Sequence, residues 1–207
     1  MGKKSQRGLL LLLCLLGLVR YSAAAVIWTA AVEIRYMNSN NEIVDKSCEC
    51  GVYGYDSPLQ NAFGIVTLPN RDSKGCGSGP VYSRNSSSPP WIALVKRGNC
   101  TFGEKINKAK HQGASAVVVY NADGSGNTTS YMSHPEARDI VAIMISNSQG
   151  MEVVRLVTNG TPVDMMISVI FNAGSPHRPW MDTYWLLSIA FLIVTNYSYC
   201  LLPPVSV

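Results

Sequence analysis

Residues 91–120 read WIALVKRGNCTFGEKINKAKHQGASAVVVY, and their pattern decides the fold. An apolar run, Ile92-Ala93-Leu94-Val95, opens the stretch, and Ala116-Val117-Val118-Val119 closes it. Short continuous apolar runs of this kind predict strands buried on both faces. Between them Thr101 and Glu104 form a capping box, in which each side chain satisfies a backbone N–H of the other. Ile106, Ala109 and Lys110 follow at helical spacing, and Gly113 stands where a left-handed C-terminal stop belongs. Strand, loop, helix and strand make a βαβ unit, which crosses over right-handed between parallel strands. The loop Lys96-Arg97-Gly98-Asn99-Cys100 joins the C-terminal end of a strand to the N-terminal end of a helix. In open α/β sheets that is where ligands bind.

Working outward, Trp28–Tyr36 (WTAAVEIRY) alternates as a half-buried strand does, and Asn38–Lys46 is polar and reads as a turn or loop. Phe63–Leu68 (FGIVTL) is a buried strand ended by Pro69-Asn70. From Arg71 to Pro90 the chain is rich in Gly, Ser and Pro and reads as a surface loop; Asn121–Ser130 is another. Ile140–Ile145 is a strand. Ser148 is placed to cap a helix running to about Thr158, with Met151, Val154 and Val157 on one face and Asn159-Gly160 as the stop. Val163–Ile170 is a final strand. About six strands and two helices predict one mixed α/β domain over 26–172.

The ends carry targeting signals. Residues 1–25 read as a secretory signal peptide: Lys3, Lys4 and Arg7 precede the apolar Leu9–Val19, and Ser22-Ala23-Ala24-Ala25 offers small residues for cleavage. After a juxtamembrane linker (173–183), residues 184–202 (YWLLSIAFLIVTNYSYCLL) hold no charge and have the length of a transmembrane helix, followed by a short tail, 203–207. Trp180, Tyr184 and Trp185 stand where an interfacial aromatic belt would lie, while Asn196 is a polar group in the apolar run. The expected placement is a single-pass type I protein of the secretory or endosomal membrane. A secreted protein with an apolar tail is the alternative.

The formal charge of +4 comes from the leader: without Lys3, Lys4, Arg7 and Arg20 the 17 basic residues fall to 13, equal to the 13 acidic ones. A neutral domain has no electrostatic basis for binding nucleic acid, whose affinity depends on neutralising phosphates. Of the 6 cysteines, Cys14 and Cys200 fall in the terminal apolar runs. Cys48, Cys50, Cys76 and Cys100 remain, an even number that suggests disulfides in an exported domain but leaves three pairings open. Cys48 and Cys50 share a strand face, yet residues two apart rarely bridge without strain, so one of them is open to being a free thiol. Asn-x-Ser/Thr sequons at Asn85, Asn99, Asn127 and Asn159 all lie in predicted loops, as glycan acceptors must. Cys100 crowds the Asn99 site and Pro162 weakens Asn159.

RGNCTFGEKINKAKHQGASAVVVYN resembles the core signature of the protease-associated (PA) domain, with its cysteine-bearing RG-x-C-x-F loop, helix and GA-x-A-V-V-V-Y-N. CECGVYGYDSPLQNAFGIV (Cys48–Val66) and MSHPEARDIVAIMISNSQGMEVV (Met132–Val154) are similar to the lumenal half of GRAIL/goliath-type transmembrane ubiquitin ligases. The resemblance implies a PA-domain fold, a mixed sheet or open barrel-like core with two flanking helices. It implies a Cys76–Cys100 disulfide tying the loop before Ile92 to the RGNC loop. It further implies that Arg97, Gly98, Asn99, Cys100 and Phe102 form a lip for an extended peptide, as in the similar plant sorting receptors, with the loop Tyr131–Asp139 and its His134 as a second edge.

The residues themselves set bounds on these roles. Arg97 can pair bidentately with a carboxylate or serve only to turn its loop. Phe102, one residue into an amphipathic helix, reads better as a core residue beside Ile106. His134, in Ser133-His134-Pro135-Glu136, reads as a turn residue, with a titrating role open to it in acidic compartments. Catalysis is not expected: in Gly75-Cys76-Gly77-Ser78-Gly79 a cysteine stands where a nucleophile elbow around Ser78 needs glycine, and the mature domain offers only His111, His134 and His177 as histidine bases. Cys48-x-Cys50 lacks the second half of a metal site. The chain cannot supply the Cys/His ligands of a zinc-binding RING, so zinc is expected only in a RING beyond this sequence. The resemblance implies a non-catalytic module that binds the lumenal or extracellular parts of membrane-protein substrates, and that is able to pair with full-length ligases of the same family. A complete ligase whose RING is not in this sequence is the enzyme alternative.

Overall fold

The computed structural model describes residues 28–170; the predicted signal peptide (1–25), linker (173–183), transmembrane helix (184–202) and tail (203–207) lie outside the described residues. Nine elements follow in order: β1 (Thr29–Met37), β2 (Ile43–Tyr53), β3 (Ala62–Thr67), β4 (Trp91–Lys96), α1 (Phe102–His111), β5 (Ala116–Tyr120), β6 (Val141–Ile145), α2 (Asn147–Thr158) and β7 (Val163–Val169). The strands run β1-β2-β6-β5-β4-β3-β7 around a closed barrel. Strands β3 to β6 form its parallel half. Strand β7 lies antiparallel between β3 and β1, and β2 lies antiparallel between β1 and β6. The family resemblance implies a mixed sheet or open barrel-like core. The ring closes because β7 pairs on both edges and because β2 meets β6 over Val52–Met144 and Tyr53–Ile143.

The βαβ unit forms as the apolar runs predict. Every residue of β5 and β6 is buried, as are the first five of β4, because one face looks into the barrel and the other is covered. Period-2 alternation divides them between two cores. Ile92, Leu94, Val118, Ile143 and Ile145 join Val163, Met165 and Ile167 of β7 and Val153 of α2 in the first. Trp91, Ala93, Val95, Val117, Val119 and Met144 pack with Ile106 and Ala109 of α1 in the second.

Strand β2 corrects the reading of Asn38–Lys46 as turn or loop. The turn is short, with Asn41 at φ 60° and the Asn38 side chain accepting from the backbone of Asn40 and Glu42, and extended structure resumes at Ile43. From Ile43 to Glu49 the strand is exposed or half-buried, so no apolar alternation marks it; its ladder to β1 holds it instead. The cap of α2 is also corrected, from Ser148 to Ser146, whose side chain accepts from Gln149 N while Gln149 reciprocates. Three residues beyond Ser148 lies Met151, which has no group to complete a capping box. The end of α2 at Asn159 and Gly160 (φ 83°) agrees with the sequence.

Strand direction sorts the connections. The C-terminal ends of β4, β5 and β6 lie at one end of the barrel. The first residue of β1 and the last of β7 lie at the other, because β7 runs antiparallel to β3 and β1 antiparallel to β7.

Candidate functional site: the RGNC rim

The loop after β4 is shaped by two left-handed residues, Gly98 (φ 118°) and Asn99 (φ 75°). Glycine takes this conformation freely and asparagine is among the few other residues that tolerate it. The turn presents Asn99 to solvent and brings Cys100 back to Cys76, with which it is disulfide-bonded at a Cα–Cα distance of 5.8 Å. On the Cys76 side Asp72 organises the chain, accepting from Lys74 N (3.0 Å) and Cys76 N (3.2 Å). The Lys74 amide first, and then that of Cys76, hold its carboxyl below the usual range, with burial opposing them.

Helix α1 begins directly after the disulfide. Thr101 Oγ1 accepts from Glu104 N at 3.1 Å, and a Glu104 carboxylate oxygen accepts from Thr101 N at 3.1 Å, completing the predicted box. One turn in, Lys105 is only 1% exposed. Its ammonium donates to Gly98 O at 2.7 Å and to Lys74 O, and lies 3.2 Å from Cys76 Sγ and 3.4 Å from Cys100 Sγ. Burial pushes its pKa down to about 8, a displacement that Asp72 opposes. One buried cation therefore joins helix, loop and disulfide.

Arg97 is half-buried behind this rim. Its Nη1 donates to Asn121 Oδ1 (3.1 Å) and Ser130 Oγ (2.7 Å), and its guanidinium carbon sits 5.9 Å from the centroid of the Phe102 ring. Among the described residues these hydrogen bonds run from Nη1 alone, leaving Nε and Nη2 free to pair with an incoming acceptor. The two roles that the sequence leaves open for Arg97 are thus both physically available on the one side chain. Phe102 packs partly buried against the second core, as the sequence favours, while stacking on Arg97.

Arg97, Gly98, Asn99, Cys100 and Phe102 therefore share one rim, but His134 does not. His134 is fully buried, its Nδ1 2.8 Å from Ala137 O and its Nε2 against Gly54, which corrects its inclusion among ligand-contacting residues. Backbone burial places it inside because His134 N donates to Asp56 at 2.8 Å and draws the turn onto the barrel. Cys48 and Cys50 are bonded to each other, with Cα atoms 5.2 Å apart, a pairing that the sequence leaves open; both project from the same side of β2. The sequons at Asn85, Asn99, Asn127 and Asn159 are all exposed.

Sequence reasoning missed Lys105, Asn121 and Ser130. Lys105 carried a signal: positions 102, 105, 106 and 109 form the i, i+3, i+4, i+7 stripe that faces a core. The partners of Arg97 carried none, because they arrive from a loop 24 and 33 residues along the chain.

Residues 62–153 match the PA domain family. The chain is 38% identical over 175 residues to RING finger protein 148 of Bos taurus, covering 84% of this chain and 56% of that one. It is 43% identical over 193 residues to E3 ubiquitin-protein ligase RNF128 of Xenopus laevis, covering 90% and 46% respectively. To E3 ubiquitin-protein ligase RNF133 of Homo sapiens it is 34% identical over 174 residues, covering 84% and 44%. The chain thus spans about half the length of the curated relatives it matches. Among solved structures, an aminopeptidase from Aneurinibacillus sp. strain AM-1 aligns with 70% of this chain and 32% of its own at 19% identity and a TM-score of 0.46. Over residues 62–153 the chain is similar to the PA domain family, and over most of its described length it is similar to roughly half of each of these proteins, two of which are named as E3 ubiquitin-protein ligases.

Proposed function

We propose that this chain is the substrate-recognition module of such a ligase, gripping the lumenal or extracellular part of membrane-protein substrates at the RGNC rim and forming no bonds itself. One observation carries the reading: Arg97 is held by Nη1 and backed by Phe102, with two further nitrogens unspent, beside the N-terminus of α1. A guanidinium positioned in advance loses little side-chain freedom when it accepts a carboxylate or peptide carbonyl, and the helix end favours the same partial charge. Residues 1–25 and 184–202 are read as export signal and anchor. An anchor would hold captured substrate close to a RING on the other side of the membrane, raising its effective concentration without adding chemistry. Without a RING, the same module would occupy substrates, or pair with full-length ligase, without passing ubiquitin.

Proximity labelling from the lumenal face, comparing the chain with Arg97→Ala, tests the reading. A set of labelled partners lost in the variant, whose thermal melt shows it folded, is the expected result. An identical set in both removes the RGNC rim from the mechanism. Co-expression with a full-length relative tests the competing role, and unchanged substrate turnover would count against it.

A further inference from the structure

Four large apolar side chains stand exposed around one hollow: Trp28 (39% exposed), Tyr55 (54%), Leu59 (37%) and Tyr131 (58%). With Tyr53 and Ser57 they line a space of about 180 Å³. The Tyr55 and Tyr131 rings pack at a centroid distance of 5.9 Å. The backbone beneath is fixed, since Tyr53 N donates to Trp28 O and Tyr55 N to Met132 O, each at 2.9 Å. Such a cluster is built, and exposed apolar patches of this kind mark interaction surfaces.

Its place in the chain indicates the partner. Ile170 N donates to Thr29 O at 3.2 Å, so the polypeptide leaves the barrel next to Trp28. Residues 171–183 then separate Ile170 from the apolar segment 184–202. A stretch of that length spans at most roughly 45 Å even when fully extended. If 184–202 is in a bilayer, the cluster is tethered within reach of that bilayer at an effective concentration in the millimolar range. Trp and Tyr, with apolar bodies and one polar atom, are the side chains that favour the headgroup region. Nearby Asp56 and Arg138 pair with each other at 3.5 Å.

Resting on the anchor reading above, we propose that Trp28, Tyr55, Leu59 and Tyr131 seat in the headgroup region of the membrane that carries the chain. The partner is zwitterionic phospholipid, and because aromatic insertion drives the contact it is insensitive to salt.

The test uses the full chain in phosphatidylcholine vesicles, with brominated or unbrominated acyl chains, on a Trp180→Phe/Trp185→Phe background. Of the 4 tryptophans this leaves Trp28 and the fully buried Trp91. Bromolipid is expected to lower the emission by roughly half, as for a tryptophan at the interface. Trp28→Phe should abolish the quenching and Tyr55→Ser/Tyr131→Ser reduce it, all unchanged at high salt. A chain that resists carbonate extraction but shows no bromolipid quenching overturns the proposal and leaves the cluster to a protein partner. Release of the chain by carbonate overturns the anchor reading and, with it, the seating.

Discussion

Lys105 Nζ lies 2.7 Å from the carbonyl oxygen of Gly98, so a cation on α1 holds the backbone of the RGNC loop from within. The same ammonium bonds Lys74 O, which stands on the far side of the Cys76–Cys100 disulfide. Lys105→Met keeps the apolar stem and removes the donor. Two part-buried carbonyls then lose a charged partner, while the cost of burying a cation disappears. The first effect is the larger, since an unmade bond to a charged group costs about 1.5–3 kcal/mol. The variant should lose about 1–2 kcal/mol in denaturant midpoint at pH 7, at unchanged m-value, and show faster amide exchange from Gly98 to Cys100.

The same lysine sets a pH signature. Its pKa is lowered to about 8 from the ordinary 10.5, mainly by burial, so between those values the unfolded chain binds more protons than the folded one. Stability therefore rises with pH across that window. Burial raises the Tyr53 phenol to about 12 and displaces that of Tyr82 in the same direction. Above roughly pH 10 the unfolded chain loses these protons first, and stability falls. Thermal melts should thus show a maximum between pH 8 and 10, with the rising limb flattened in Lys105→Met. A falling limb from pH 8 in the parent chain would mean that Lys105 is charged at no cost.

Legibility in the sequence follows the same physics. The βαβ unit was readable because β4 and β5 bury both faces and so need unbroken apolar runs, and because Thr101 and Glu104 are a local pair. Strand β2 was not, since Ile43 is 67% exposed and the residues after it answer to a ladder with β1 instead of a core. At the rim, Arg97, Gly98 and Asn99 could be placed by local signals, whereas the partners that aim Arg97 come from distant loops. His134 looked like a surface turn because nothing local records that Gly54 leaves room for its ring.

The two disulfides should differ in worth. Cys76 and Cys100 stand 24 residues apart, and closing a loop of that size stabilises by about 3 kcal/mol in the chain-entropy model. Cys48 and Cys50 are 2 residues apart and restrict the unfolded chain far less, by about 1.5 kcal/mol. Cys76→Ser/Cys100→Ser should accordingly cost about twice as much denaturant stability as Cys48→Ala/Cys50→Ala, and should also free the loop that Lys105 grips. Equal losses would show that the short bridge does more than shorten a strand's freedom.

Two glycines separate space from flexibility. A Cβ at Gly64 would lie 2.7 Å from both the N and Cα of Trp91, atoms of the neighbouring parallel strand that cannot give way without moving β4. At Gly77, in the loop that follows Cys76, nothing lies within 4 Å and no positive φ is required. Gly64→Ala should therefore destabilise by about 1–3 kcal/mol through overpacking, and Trp91, whose face carries the second core, should report it as a shifted emission spectrum. Gly77→Ala should be neutral or slightly stabilising, because the only change is fewer conformations for the unfolded chain. The contrast locates the constraint in the approach of β3 to β4, the pairing that fixes where β4 ends and hence where Arg97 begins its loop. If both substitutions proved silent, that close approach would not be what sets the register of the rim.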